Sequence, residues 1–208
     1  MRSGRVEAFS DGVIAILITV MVLELPKPEG VTWEALREVL PVLLAYLLSF
    51  VYLGIYWNNH HHMFQAISRV SGSVLWANLH LLFWLSLVPF ATAWMSENGF
   101  AMIPTAVYGI VLLANGIAYF LLQRRLLRVQ GPNSRLAVAI GRDLKGWSSP
   151  GLYILGIALS FVSPWLGLAV YVFVALMWLV PDRRVERLIE HEAAEKAERK
   201  SHEGAASA

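Results

Sequence analysis

The chain contains no cysteine. Disulfides, thiolate metal centres and cysteine nucleophiles are therefore excluded, and cysteine usage says nothing about redox compartment. Charge is scarce as well. Only 15% of the 208 residues are charged, while 57% are hydrophobic; a soluble domain carries about 25% charged residues. Charge this sparse, together with several long apolar runs, points to an integral membrane protein. No metal-ligand spacing such as HExxH occurs, and no nucleophile–base pair stands at usable spacing, so an enzyme is not expected. The net charge of +2 says little and calls for no nucleic-acid partner. The placement of the charges says more.

A spanning helix needs about 20 mostly apolar residues. Candidates run from about Ala8 to Leu25, from Leu36 to Trp57 with Pro41 near its first turn, from Val70 to Met95 with a kink at Pro89, and from Phe100 to Leu122. The stretch from Trp147 to Val180 would make one helix about 50 Å long, too long for a hydrocarbon layer of about 30 Å. Ser163–Pro164 offers a break, giving two short helices. Basic flanks mark the cytoplasmic side. Both the loop before this stretch (Arg124, Arg125, Arg128, Arg135, Arg142, Lys145) and the tail after it (Arg183, Arg184, Arg187) are basic, so the crossings between them are even in number. The expectation is an all-α membrane protein with six transmembrane helices and both termini cytoplasmic. Of 17 Lys and Arg, only Lys27 and Arg37 then fall outside. Residues 1–181 form the membrane domain, and 182–208 form a charged helical tail with favourable pairs Glu192–Lys196 and Glu195–Arg199. Acidic Glu7 and Asp11, and the absence of a small-x-small site in "LELPKPEG", argue against a signal peptide.

The first apolar segment opens with charge: "RVEAFSD" carries Arg5, Glu7 and Asp11. Arg5 near an interface can snorkel, and Asp11 in the first helical turns is favoured by the dipole. Alternatively, the charges belong to a polar layer. The second helix returns to the same side and ends in "YWNNHHHMF". Trp57, Asn58, Asn59, His60, His61 and His62 then reach the level of Arg5, Ser10 and Asp11, where donors and acceptors can satisfy one another. Three neighbouring histidines point about 100° apart on a helix and cannot all face one ion, so no metal site is expected. Beyond the layer, Ile16, Thr19, Val20 and Leu23 fall on one stripe that continues inward through Gly12 and Phe9. By composition alone such a stripe is ordinary packing or lipid contact.

Arg5, Phe9, Ser10 and Asp11 fit an RxxxFSD signature. Trp57-x-x-His60-His61 and "NLHLLFWLSLVPF", with Asn78, Pro89 and Phe90, follow in order. With these, the chain resembles the endosomal and lysosomal potassium channel family of the transmembrane protein 175 type, in its single-repeat bacterial form. The resemblance implies a homotetramer in the bacterial plasma membrane that conducts potassium, with other monovalent cations as candidate permeant ions, through a pore lined by the first helix. It implies an apolar constriction in place of a TVGYG filter, which this sequence lacks. Carried over, the constriction is Ile16, with Thr19 and Leu23 further along. Membrane lipid and permeant potassium are the implied partners, with no cofactor. The rival expectation is a secondary transporter in which Asp11 and His60 relay protons. Such a carrier should hold ionisable groups near the midplane, which offers Asn115 and His80 but no acid.

Overall fold

The computed structural model describes residues 3–67, 70–131, 134, 136–137 and 144–179; the charged tail expected at 182–208 lies outside the described residues. The described residues are helical apart from short turns. Helix α1 spans Ser3–Leu23 and α2 spans Trp33–Gln65. Helix α3 spans Gly72–Ser86, α4 Val88–Glu97 and α5 Met102–Gln130. Helix α6 spans Leu144–Ser160 and α7 Pro164–Leu179. Four units are long and apolar enough to cross a membrane: α1, α2, α3 with α4 (Gly72–Glu97) and α5. The shorter α6 and α7 have 17 and 16 residues. Counting α3 and α4 as one broken unit gives six.

The boundaries have local causes. Helix α1 starts at Ser3 rather than Ala8, so Arg5 and Glu7 lie inside the helix. It stops before Pro26, whose ring disfavours helical backbone in the preceding residue. Helix α2 starts on Thr32, whose side-chain oxygen accepts from Ala35 N at 3.3 Å. It reaches two turns past the expected Trp57, to Gln65. "WNNHHHMFQ" is polar enough to resemble a loop in hydropathy, yet the helix continues through it. At its other end α2 begins at Trp33 rather than at the expected Leu36, so Pro41 lies beyond its first turn, and the helix runs on through it.

The kink expected at Pro89 is a full break between Ser86 and Val88. Proline has no N–H, so the ladder cannot continue and Leu85 O loses its usual i+4 donor. Asn115 of α5 reaches the end of α3 beside this break: its Nδ2 donates to Trp84 O at 3.4 Å, a carbonyl that also accepts from Leu87 N at 3.2 Å, and to Val111 O of its own helix at 2.9 Å. The turn into α5 uses Gly99 and Phe100, both with left-handed backbone (φ +59° and +57°). Gly131, with φ +88°, ends α5.

Helices α6 and α7 form a tight pair around the break at Pro164. A Cβ on Gly167 would fall 2.8 Å from Gly156 O, so only glycine permits this approach. Gly109 and Gly156 leave the space that the buried Tyr171 ring fills between α5, α6 and α7. Close backbone approach at small residues is the usual way helices associate in lipid. The bundle leaves α1 at one side, packed on α2 and α3 with a smaller contact to α4.

Candidate functional site

Helix α1 presents two unlike faces. Val6, Ser10, Ile14, Leu17 and Met21 recur every three or four residues and are buried against α2 and α3. Phe9, Gly12, Ile16, Thr19, Val20 and Leu23 are exposed, Ile16 at 60% and Leu23 at 82%. All four residues of the expected pore stripe thus lie on the open face. Thr19 Oγ1 donates to Ile16 O at 2.9 Å, which keeps the hydroxyl within its own helix and leaves its lone pairs outward.

The buried face carries a chain of hydrogen bonds across three helices. Ser10 Oγ donates to Val6 O at 2.9 Å, so its oxygen is free to accept. Asn78 Nδ2 of α3 donates to that oxygen at 2.9 Å. The Asn78 amide is thereby oriented with Oδ1 toward His60 of α2, 2.8 Å from Nε2. An acceptor there requires the proton on His60 Nε2. The three side chains are 0–1% exposed. His60 also stacks on Phe64 at 4.3 Å between ring centroids. Sequence reasoning placed Ser10 and His60 in one layer but missed that Asn78 joins them. The available signal was a lone amide in the apolar run of α3.

The rest of the expected layer divides. His61 turns away from His60: its Nδ1 lies 2.9 Å from Glu7 Oε1, and Gln65 Nε2 donates to its Nε2 at 2.8 Å. Trp57 stacks on His61 at 5.9 Å and is half exposed. Asp11 faces this second group. Ligand atoms of Glu7, Asp11 and His61 lie within 4.8 Å of one another, and Asp11 Oδ1 is buried without a hydrogen-bond partner among the described residues. Arg5 departs from expectation. It is exposed, and at helical spacing it continues the stripe of Phe9, Gly12 and Ile16, so it lies on the open face and outside the buried chain.

The two polar groups expected near the midplane are engaged with neighbouring groups. Asn115 donates to Trp84 O beside the α3–α4 break. His80 is exposed on α3 and accepts from Trp84 Nε1 at 3.0 Å.

Several apolar helices of spanning length, packed through small residues and an internal polar chain, define a multi-pass integral membrane protein. Residues 5–89, the part holding both faces of α1 and the His60–Asn78 link, match the family described as Endosomal/lysosomal potassium channel TMEM175. A protein named potassium channel from Chryseobacterium sp. is 54% identical over 187 residues, 90% of this chain and 97% of its own length. Another so named, from Streptomyces collinus, is 36% identical over 85% of this chain and 91% of its own length. The crystal structure of a lysosomal potassium-selective channel TMEM175 homolog from Chamaesiphon minutus superposes with a TM-score of 0.72. It is 34% identical and covers 86% of this chain and 96% of that one. The chain belongs to the TMEM175 family.

Proposed function

We propose that this chain is the subunit of a potassium-permeable channel, assembled as a homotetramer, with α1 of each copy lining the pore. The observation that carries the proposal is the open face of α1. A spanning helix held firmly along its back leaves an almost wholly apolar stripe, broken by Thr19, that none of the described residues covers. The names of the relatives, which are potassium channels, support the choice of ion. In this arrangement all six helical units cross the membrane, with both termini on the cytoplasmic side as the basic loops direct.

The chemistry of the stripe suits a gate. Four Ile16 side chains around an axis close a narrow path by dewetting, because an ion cannot cheaply shed water against methyl groups. Widening the ring admits water and ions together. Thr19, one turn outward with lone pairs directed away from the helix, offers partial replacement of hydration. The Ser10–Asn78–His60 chain anchors the inner part of α1 to α2 and α3, so movement of those helices is passed to the stripe. A proton-coupled carrier is the weaker reading. The carboxylates of α1 lie in its first three turns, and the groups near its middle are apolar.

The test is current through the purified protein in planar bilayers, with potassium on one side and sodium on the other. Unitary openings that reverse near the potassium potential support the channel. Flux that saturates and follows a proton gradient, without unitary events, supports the carrier.

A further inference from the structure

Glu7 and Asp11 stand one turn apart on α1, and His61 of α2 meets them there. One donor atom from each of the three lies within 4.8 Å of the other two. Two atoms of these side chains are buried and unsatisfied. Asp11 Oδ1 has no hydrogen-bond partner among the described residues. His61 Nδ1 lies 2.9 Å from Glu7 Oε1 but without the angles of a hydrogen bond, so its in-plane direction is unused as well. The imidazole is held from its other sides. Trp57 stacks on the ring with 19° between the planes, and Gln65 Nε2 lies 2.8 Å from His61 Nε2.

Two neighbouring carboxylates and an imidazole nitrogen call for a positive centre. A protein cation does not supply it: among the described residues no Lys or Arg pairs with Glu7 or Asp11. A proton is too little. Shared between the carboxylates it leaves His61 Nδ1 idle, and placed on His61 it leaves Asp11 Oδ1 buried and unpaired, at a cost of about 1–3 kcal/mol or more. Water could donate to Asp11 but would leave two like charges side by side. A divalent cation meets all three side chains, because the two carboxylates balance its charge and a neutral imidazole adds a ligand. Magnesium and calcium take about six or more ligands, nearly all oxygen. Imidazole with carboxylate suits zinc and its transition-metal neighbours, and zinc accepts three protein ligands and a water. We propose that Glu7, Asp11 and His61 form a binding site for a zinc-class divalent cation. Metal on His61 Nδ1 puts the ring proton on Nε2, and the Gln65 amide turned over presents its oxygen to accept it, the kind of partner a ligating histidine keeps. The sequence argument against a metal concerned three histidines facing one ion; here only one of the three contributes, and the other two ligands come from α1. The ion would tie α1 to α2 beside the Ser10–Asn78–His60 chain. Binding belongs to the single chain and does not require that the channel reading hold.

The test is calorimetric titration of zinc chloride into the full-length protein, purified without a polyhistidine tag and freed of metal with a chelator. Saturable binding of one zinc per chain is expected. Asp11→Asn and His61→Gln should each weaken it at least about tenfold, the lower end of what disturbing a ligand's own partner does. His80→Gln, which alters an exposed histidine of α3, should bind as the parent does. Thermal unfolding gives a second readout. Zinc should raise the midpoint of the parent, because it binds the folded chain, and should leave that of Asp11→Asn unmoved. Magnesium at the same concentration should raise neither. No saturable binding to the parent would overturn the proposal, and binding unchanged in both Asp11→Asn and His61→Gln would overturn it by showing an adventitious ion only. A rise with magnesium as large as that with zinc would overturn the assignment of His61 as a ligand.

Discussion

The back and front of α1 are made from one helix and answer to different constraints. The back is tied down: Val6, Ile14, Leu17 and Met21 are buried, and Ser10 is hydrogen-bonded through Asn78 to His60. The front, from Arg5 through Phe9, Gly12, Ile16 and Thr19 to Leu23, is exposed among the described residues. Polarity alone does not separate the two. A buried serine serves the back and an exposed arginine begins the front. What separates them is whether a polar group is tied to another helix: Ser10 is bonded through Asn78 to α3 and α2, whereas Thr19 bonds only within α1. Damage to the back should therefore appear as lost stability of the chain, and damage to the front as altered conduction.

The largest stability effect is expected at the centre of the chain. Asn78→Leu strands the His60 N–H and removes the donor to Ser10, with an expected loss of about 1–3 kcal/mol per buried group left unpaired. Thermal unfolding in detergent should show a lower midpoint than the parent, and an unchanged midpoint would dissolve the contrast between the faces. Ser10→Ala should behave alike but more mildly, because one amide hydrogen loses its acceptor while the His60 bond stays. Asp11→Ala sharpens the contrast differently. Asp11 Oδ1 has no hydrogen-bond partner among the described residues, so the isolated subunit should unfold as the parent does. A smaller yield of assembled protein, seen by size-exclusion chromatography, would then place the role of Asp11 between copies. The smallest stability effect belongs to Ile16→Asn, within about 0.5 kcal/mol as for other exposed positions. Its unitary conductance should nevertheless rise and its selectivity weaken, because the ring is wetted.

Much of this arrangement was legible in the residues. Pro89 announced the break in the third unit, and Ser163–Pro164 the turn between α6 and α7. The spacing of Ile16, Thr19, Val20 and Leu23 placed them on one face. The same spacing applied one turn earlier puts Arg5 on that face too; grouping it with Ser10 and Asp11 followed chemical kind rather than helical angle. The end of α2 was hidden because hydropathy reports transfer into lipid, and a helix can continue beyond the apolar region. The bond between Asn78 and Ser10 spans 68 residues of sequence, and an isolated pair at that distance leaves no periodic trace. The role of Asn115 was hidden for a related reason: its partner on α3, Trp84 O, is a backbone carbonyl 31 residues earlier.

The absence of cysteine makes the central claim directly testable, since a single introduced thiol is the sole target for a charged thiol reagent. Potassium current should be recorded from Ile16→Cys in planar bilayers before and after a cationic methanethiosulfonate, with Leu17→Cys, one residue on and buried, as the comparison. The account predicts that current through Ile16→Cys falls sharply while Leu17→Cys and the parent are untouched. Equal insensitivity of Ile16→Cys and the parent, with modification of the thiol verified by mass spectrometry, would contradict the placement of this face on the ion path.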